Sequence, residues 1–389
     1  MLRPSPYAYT SQYLFGFFFS YGIYLPFWAV WFAFMGMEAK EIGLLTGLGL
    51  ITRAGCNLLL TPRIYRPEQL LPAIRWITAA SAVVVGLHLF VGGEFWLLAL
   101  ITILFNICYA PLIPLGDSLT NYYQVKQQLD YGRTRLWGSI AFVVGNWVVG
   151  SMTEQYGESV IPWLALAGLI AAMLLSCRTP TLQPISSVTR AKRPSLRQLF
   201  RRGTVVRFLL ITSLLQGSHA AYYAFSAISW RELGVSDSLI GVLWSIGVMV
   251  EIGVFQFGGR FFLTWPIHRM MRLAAMGVVI RWGLLGTVTS VWWLSIAQSL
   301  HGITFAVAHL AAIRYIQQQH ESERVAWQSL YNAIPLGLMM GGLSILCGPL
   351  YAVLHQHVFL VMALFAIPVF FIRIQSHGPL CAQRSAEKD

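Results

Sequence analysis

The amino-acid sequence predicts an all-α membrane protein of about twelve transmembrane helices. Of its 389 residues, 56% are hydrophobic and only 11% are charged, whereas a soluble globular chain carries about 25% charged residues. The mean hydropathy is +0.61. Long runs contain no Asp, Glu, Lys or Arg, and the longest covers 325–372. Each run offers the roughly 20 apolar residues that a membrane-spanning helix needs, and none alternates as a barrel strand does.

Twelve spans fit these runs and the polar breaks between them. The predicted spans are 8–35, 39–61, 71–92, 95–117, 134–153, 159–177, 206–231, 237–258, 270–289, 292–315, 326–351 and 356–374. A basic segment rich in Pro, Ser and Thr separates the sixth span from the seventh and is typical of a flexible linker. We expect an N-terminal six-helix bundle at 1–178, a linker at 179–204, a C-terminal six-helix bundle at 205–377 and a tail at 378–389.

The formal net charge of +12 indicates membrane topology rather than a nucleic-acid partner. Basic residues such as Arg63, Arg133 and Arg269 occupy the loops on the linker's side, while the opposite loops are mostly acidic. Loops rich in Lys and Arg stay in the cytoplasm. We therefore expect both termini and the linker to be cytoplasmic, with the lipid bilayer as the partner and no bound nucleic acid.

Several motifs of enzymes and pumps are missing from the sequence. The five cysteines are scattered, with no C-x-x-C or other metal-ligand spacing. There is no phosphate-binding G-x-x-x-x-G-K-[ST], which disfavours an ATP-driven pump. We expect no catalytic residue, no metal and no cofactor, and the proton gradient as the source of energy.

The two halves of the chain carry an internal repeat. With a shift of 198 residues, positions 20–49 meet nine identical residues without a gap. The pairs are Ser20 with Ser218, Tyr24 with Tyr222, Phe27 with Phe225, Ala29 with Ala227, Gly36 with Gly234, Ile42 with Ile240, Gly43 with Gly241, Leu45 with Leu243, and Gly49 with Gly247. Parallel six-helix repeats of this kind are typical of the major facilitator architecture, whose substrate site lies between the halves near the midplane. The repeat therefore predicts this fold, with twelve helices in two pseudo-symmetric bundles.

Ionisable residues inside the spans are functional candidates because a charge in the membrane is costly. The repeat shift makes Arg53 in the second span and Glu251 in the eighth equivalent positions. We expect these two to pair between the halves. The pair is either a structural salt bridge or one that breaks during transport.

Two further arginines are candidates for contact with a substrate. Arg281 in the ninth span needs an anionic partner, either Glu251 or a substrate carboxylate that suits its guanidinium fork. Arg135 lies near the cytoplasmic face and is the second candidate. Aromatic residues crowd the first and seventh spans, where they either pack helices or stack on an aromatic substrate. These are Tyr24, Trp28, Tyr222 and Tyr223.

Two histidines of the tenth span, His301 and His309, are candidates for proton coupling because His titrates near neutrality. The alternative is that each makes an interhelical hydrogen bond. Positions eight apart point in oblique directions on a regular α-helix, and no H-E-x-x-H exists. A membrane-embedded enzyme is therefore disfavoured.

The segment D-Y-G-R-T-R-L-W-G-S at 130–139 resembles the start of the fifth span in the lactose permease family. Asp117 precedes Arg133 by sixteen residues, as the substrate-binding glutamate of that family precedes its first loop arginine. The resemblance implies that Asp117 and Arg135 form a substrate pair. It also matches Arg281 with the family's arginine of the ninth span.

The same resemblance bears on proton coupling. His301 matches the family's histidine of the tenth span, and Thr304 stands where the family has the acidic residue tied to the proton. Glu251 falls about one turn from the family's glutamate of the eighth span. The proton carrier is therefore expected to be Glu251 or Asp117, with His301 assisting.

A closer resemblance, to the phenylpropionate permease family, covers nearly the whole chain. Its segments are F-F-S-Y-G-I-Y-L-P-F-W at 18–28, P-L-I-P-L-G-D at 111–117, L-L-Q-G-S-H-A-A-Y-Y-A-F-S-A-I at 214–228 and H-L-A-A-I-R-Y-I at 309–316. The resemblance implies a proton symporter of the bacterial inner membrane that imports 3-phenylpropionate or a related aromatic carboxylate. We expect the protein to be a monomer. The alternatives are a sugar or nucleoside symporter and a membrane-embedded enzyme.

Overall fold

The computed structural model describes residues 3–64, 66–185, 199–372 and 374. Their regular secondary structure is helical, with no strand among them. The helices are α1 (Pro6–Phe34), α2 (Ala39–Leu59), α3 (Pro67–Leu87), α4 (Phe95–Tyr109), α5 (Leu112–Val125), α6 (Tyr131–Tyr156), α7 (Val160–Ser176), α8 (Gly203–Gly217), α9 (Ala220–Glu232), α10 (Asp237–Phe261), α11 (Ile267–Leu285), α12 (Val291–Ser299), α13 (Ala308–Gln317), α14 (Glu321–Ala333), α15 (Met340–Leu354) and α16 (Val358–Leu364). Two π-helical segments, Gly302–Val307 and Ile334–Met339, join α12 to α13 and α14 to α15.

Each predicted span has a helical segment in the structure. Eight helical stretches of the described residues are long and apolar enough to cross a membrane. The predicted end of the fourth span is wrong, because the chain turns only briefly after Tyr109 and α5 then continues to Val125. Asp117 therefore lies inside α5 rather than at the end of a span. Half of the predicted linker, 186–198, and the whole predicted tail lie outside the described residues.

The internal repeat recurs in backbone geometry. Gly36 has φ +86° and Gly234 has φ +81°, a left-handed conformation that favours glycine. In both turns the glycine N–H donates to the carbonyl three residues earlier, and the next N–H donates to the carbonyl five residues earlier. Both helices therefore end in the same Schellman-type turn, 198 residues apart in the sequence.

One compact unit, unit 1, comprises Met1–Arg190, Tyr222–Ser245 and Gly341–His355. In it, α1 packs along α6 and α7, while α2 packs on α4. Glycines bring α2 against α15, since a Cβ added at Gly43 would lie 2.7 Å from the Cα of Gly348. Unit 1 thus contains helices of both predicted halves. Its segments from the C-terminal half adjoin loops that are predicted to face outward.

The other compact unit, unit 2, comprises Ala191–Ala221, Ile246–Met340 and Gln356–Asp389. Its central helix is α11, which packs against α12, α13, α16 and the first π-helical segment. Units 1 and 2 are defined by packing, whereas the halves at 1–178 and 205–377 are defined by the sequence repeat. The boundaries of those halves stay a prediction.

Candidate functional site

A cavity lies inside unit 1. Helices α1, α2, α4 and α9 line it. The lining residues are Tyr24, Leu25, Trp28, Ala29, Phe32, Leu45, Thr46, Leu50, Arg53, Thr102, Asn106 and Tyr223. Mostly apolar walls with a few polar groups are typical of small-molecule sites.

Helical spacing brings the aromatic residues of α1 to this cavity. Tyr24, Trp28 and Phe32 are four residues apart, so they share one face of the helix. The rings of Tyr24 and Trp28 lie 5.3 Å apart. Three of the four predicted aromatic candidates, Tyr24, Trp28 and Tyr223, therefore line one cavity. Tyr222 instead stacks on Trp244 at 4.5 Å.

Arg53 supplies the positive charge of the cavity lining. Its Nη2 donates a hydrogen bond to the hydroxyl of Tyr21 at 3.0 Å, and its guanidinium lies 5.1 Å from the centre of the Tyr21 ring. The predicted partner, Glu251, belongs to unit 2. The pairing of Arg53 with Glu251 stays a prediction.

Asp117 and Arg135 lie together in unit 1, as the sequence suggested. The Arg135 Nε lies 3.5 Å from Asp117 Oδ1, and both side chains are about 30% exposed. The hydroxyl of Tyr131 donates to the same carboxylate oxygen at 3.2 Å. The Arg135 guanidinium also lies 4.0 Å from the centre of the Phe18 ring. The pair is thus half-buried, and the guanidinium of Arg135 already faces the carboxylate of Asp117.

Arg281 is fully buried in unit 2. Its Nη1 donates to His301 Nδ1 at 2.8 Å and to Thr304 Oγ1 at 3.1 Å. Its Nη2 donates to Gln298 Oε1 at 2.8 Å. The guanidinium also lies 4.5 Å from the centre of the Trp282 ring. Three acceptors therefore hold the guanidinium in place: one on α12, one at the N-cap of the first π-helical segment and one within that segment.

The contact with Arg281 fixes the tautomer of His301. Arginine has no acceptor, so Nδ1 of His301 must be the unprotonated nitrogen and Nε2 must carry the hydrogen. That Nε2 lies 3.3 Å from Glu251 Oε2. The imidazole thus joins the guanidinium of Arg281 to the carboxylate of Glu251 within one unit.

Thr304 extends the same network to the seventh predicted span. Its hydroxyl accepts from Arg281 and lies 3.2 Å from His219 Nε2. Nδ1 of His219 lies 3.1 Å from the carbonyl oxygen of Leu215 and can only donate to it. Nε2 of His219 is therefore the acceptor of the Thr304 hydroxyl. The position where the lactose permease family has an acid is filled here by a hydroxyl that links two buried side chains.

The prediction that His301 and His309 point in oblique directions is wrong. Both rings stack on Phe305, at 5.3 Å with 21° between planes and at 6.1 Å with 5°. The π-helical segment causes this arrangement, because its wider turn brings residues four or five apart onto one face. Nδ1 of His309 also lies 3.0 Å from the hydroxyl of Tyr331.

A charged cluster at one end of unit 1 contains a further arginine. Arg231 donates to both carboxylate oxygens of Asp237, at 2.6 and 2.5 Å, and to Glu158 Oε1 at 2.6 Å. Partial burial raises the pKa of the Glu158 carboxyl, but the hydrogen bond and charge of Arg231 outweigh it. The pKa of Glu158 therefore lies below its ordinary value.

Two polar residues of these sites, Asn106 and Gln298, were not predicted from the sequence. Asn106 lies in the cavity lining, where its Nδ2 donates to the Tyr24 hydroxyl at 3.3 Å and to the Thr102 carbonyl at 2.9 Å. Gln298 accepts a hydrogen bond from Arg281. Both amides stand in charge-free apolar runs, and a strongly polar residue in such a run is itself a signal of function. Among the described residues, no three His, Cys, Asp or Glu side chains are grouped to hold a metal ion.

Sequence comparisons match nearly the whole chain. The family model described as "MFS_1 like family" matches residues 7–361. A protein of Escherichia coli (strain K12) named "Probable 3-phenylpropionic acid transporter" is 39% identical over 362 residues, which are 92% of this chain and 95% of that protein. The maltose permease of Geobacillus stearothermophilus is 25% identical over 332 residues, or 82% of each chain.

Solved structures of transporters resemble the chain in fold. The nucleoside transporter NupG gives a TM-score of 0.79 at 15% identity, covering 94% of this chain and 97% of that one. A bacterial homologue of the human lysosomal transporter Spinster, in an inward-facing and unoccupied conformation, gives 0.66 at 14% identity, covering 94% of each chain. At these identities the likeness extends to the fold alone.

Proposed function

The chain belongs to the MFS_1 like family, and from that premise we propose that it imports 3-phenylpropionate or a related aromatic carboxylate together with protons. The predicted major facilitator fold is confirmed by the family and by the solved relatives. The chain is a multi-pass membrane transporter and not an enzyme. Alternating access, with the halves rocking about a central site, is the mechanism we propose.

The aromatic cavity in unit 1 is the observation that supports an aromatic substrate best. Its lining combines the rings of Tyr24, Trp28 and Tyr223 with a single arginine, and its polar uncharged side chains are few. A sugar needs many hydrogen-bonding partners, because each buried hydroxyl must be satisfied. The relative named for 3-phenylpropionic acid agrees with this proposal. A sugar or nucleoside symporter is the second candidate, which the maltose permease relative favours.

Proton coupling is proposed on the geometry around Glu251. Its carboxylate faces the Nε2–H of His301, whose other nitrogen accepts from Arg281. Protonation of Glu251 neutralises its carboxylate and takes away one acceptor from His301. The contacts of His301 therefore depend on the protonation state of Glu251. Asp117, which lies between Arg135 and the Tyr131 hydroxyl, is the second candidate carrier.

Uptake into proteoliposomes tests the function. We expect labelled 3-phenylpropionate to accumulate when the inside is alkaline, and we expect a protonophore to stop accumulation. Glu251→Gln should abolish uphill accumulation while sparing exchange, if Glu251 carries the proton. The same result for Asp117→Asn would instead assign Asp117. Uptake that ignores a collapsed proton gradient would contradict symport, and uptake of sugars or nucleosides in preference to the acid would favour the second candidate.

We propose that the protein is a monomer of the bacterial inner membrane, with both termini cytoplasmic and no cofactor. The basic residues on the linker's side of the spans support this orientation. A cysteine placed at Ser187, in a chain whose five native cysteines are replaced, should react with an impermeant thiol reagent only when the cytoplasmic face is accessible. Labelling from the outside of intact cells would reverse the orientation.

A further inference from the structure

The cavity of unit 1 has a polar end and an aromatic end. A short turn joins α1 to α2, so the two helices run in opposite directions, and Arg53 on α2 lies beside Tyr21 on α1. Leu45 precedes Arg53 by eight residues, a distance of roughly 12 Å along the helix. Phe32 follows Tyr24 by the same number of residues on α1. Arg53 and Asn106 therefore stand at one end of the cavity, and Phe32 and Leu45 stand at the other.

Arg53 has donor capacity to spare. A guanidinium carries five N–H donors, and the hydrogen bond of Arg53 to the Tyr21 hydroxyl uses one of them. Within the described part of unit 1, no carboxylate lies within ion-pair distance of Arg53. An arginine in an apolar span is costly without an anionic partner, and its fork binds a carboxylate through two parallel hydrogen bonds.

Two buried polar atoms of the lining provide a second observation. The Nε1 of Trp28 and the Oγ1 of Thr102 have no hydrogen-bond partner among the described residues. Trp28 is 4% exposed and Thr102 is 2% exposed, and both line the cavity. Other buried polar atoms of the described residues also lack a partner, but these two are the ones in the cavity lining. A bound ligand with acceptor oxygens would satisfy them.

The other two candidate arginines are already engaged. Arg135 faces the carboxylate of Asp117 at 3.5 Å. Arg281 is fully buried and donates to three side chains of unit 2. Neither is in the cavity lining. A substrate carboxylate would have to displace existing partners to reach either of them.

We infer that Arg53 binds the carboxylate of the transported acid, with Asn106 and Thr102 beside it and the aromatic ring between Trp28 and Tyr223. This inference rests on the proposed function and deepens it by assigning the specificity-determining cation. It also gives Arg53 a role in substrate binding that the sequence had reserved for Arg135 and Arg281.

Equilibrium binding to the purified protein in nanodiscs tests the assignment. The probes are 3-phenylpropionate and 3-phenylpropan-1-ol, which differ at the carboxylate. We expect Arg53→Gln to weaken binding of the acid by about 10- to 100-fold, the equivalent of a lost charge-assisted pair, and to leave the weaker binding of the alcohol unchanged. Arg53→Lys should fall between, because it keeps the charge and loses the fork. Arg63→Gln, at an exposed arginine just beyond α2, is the matched control and should bind like the wild type.

The outcomes distinguish a failure of the Arg53 assignment from a failure of the proposed function. If the wild type binds the acid and Arg53→Gln binds it equally well, the assignment of Arg53 is overturned while import of aromatic acids stands. The same holds if Arg135→Gln alone loses the acid. If the wild type binds neither probe, the proposed function fails and the inference fails with it. Should Arg53→Gln not fold, Arg53→Lys decides: unchanged affinity for the acid and the alcohol would contradict bidentate binding by Arg53.

Discussion

The arginines of the two compact units differ in how their charge is accommodated. Arg281 in unit 2 is fully buried and donates to His301, Thr304 and Gln298. Arg53 in unit 1 lines a cavity and donates to one phenol. The first guanidinium organises protein side chains, while the second is the one that we propose binds the substrate. Both residues looked alike in the sequence, as single arginines in apolar spans.

The largest expected effect comes from removing the buried arginine. Arg281→Gln leaves three buried acceptors without their donor, and we expect a loss of roughly 2–5 kcal/mol in the free energy of unfolding. Arg53→Gln is the matched substitution and should change stability little. Melting temperatures of the two variants in the same detergent provide the measurement. Equal melting temperatures of the two variants would contradict the distinction between a structural Arg281 and a ligand-binding Arg53.

A smaller effect is expected at the hydroxyl that links Arg281 to His219. Thr304→Val keeps the shape of the side chain but leaves Nη1 of Arg281 and Nε2 of His219 short of a partner. We expect a destabilisation of about 1–2 kcal/mol, read from the melting temperature. Thr304→Ser retains the hydroxyl and is the control. A valine variant as stable as the serine variant would show that the network does not depend on this link.

Substitutions at two glycines of α2 test whether Asn106 belongs to the proposed binding site of Arg53. A Cβ added at Gly49 would lie 2.9 Å from Nδ2 of Asn106, whereas one added at Gly55 meets nothing within 4 Å. Gly49→Ala should displace the amide and weaken binding of 3-phenylpropionate about three- to tenfold, or roughly 0.7–1.4 kcal/mol. Gly55→Ala carries the same gain in helix propensity and should leave affinity unchanged. Equal affinities in titrations of the two variants would remove Asn106 from the site.

The smallest effect is expected at Arg231, which pairs with two carboxylates at a half-exposed position. Because the folded-state pKa of Glu158 lies below its ordinary value of 4.5, its contribution is present above pH 4.5 and is lost as the pH falls through the folded-state pKa. Glu158→Gln should therefore cost about 0.2–1 kcal/mol near pH 7, and the difference from wild type should shrink below pH 4.5.

Melting curves of wild type and Glu158→Gln across this pH range provide the measurement. Glu94→Gln, at an exposed glutamate of the same predicted side, is the control and should follow the wild type at every pH. A difference between wild type and Glu158→Gln that stays constant down to pH 3.5 would mean that Glu158 acts by packing rather than by charge.

The sequence predicted the helices better than it predicted their contacts. Span positions follow from local apolar runs, and the repeated turns at Gly36 and Gly234 were visible as aligned glycines. Asp117 and Arg135 were also placed together, because the resemblance to a known family carried the pairing. The roles of the site residues in transport stay predictions.

Other features depend on distant segments and on irregular backbone. The cavity that Arg53 lines is built from residues of α1, α2, α4 and α9, which are far apart in the sequence, and no local pattern encodes that arrangement. The partners of Arg281 come from residues 17 to 23 positions later in the chain. The shared face of His301 and His309 arises from a π-helical segment, which periodicity based on 3.6 residues per turn cannot predict.

That π-helical segment also decides where the tenth predicted span tolerates a change of length. A π-helical turn is closed by hydrogen bonds between residues i and i+5, so it contains one residue more than an α-helical turn. Deleting one residue within Gly302–Val307 would therefore restore a regular helix, and the parts before and after it would keep nearly the same orientation. Arg314 would still reach the carbonyl oxygen of Phe262, to which it donates at 2.6 Å. Deleting one residue between Ala308 and Arg314 would instead rotate everything that follows by about 100° and break that hydrogen bond. Homologues should therefore differ in length within the π-helical segment more readily than within α13.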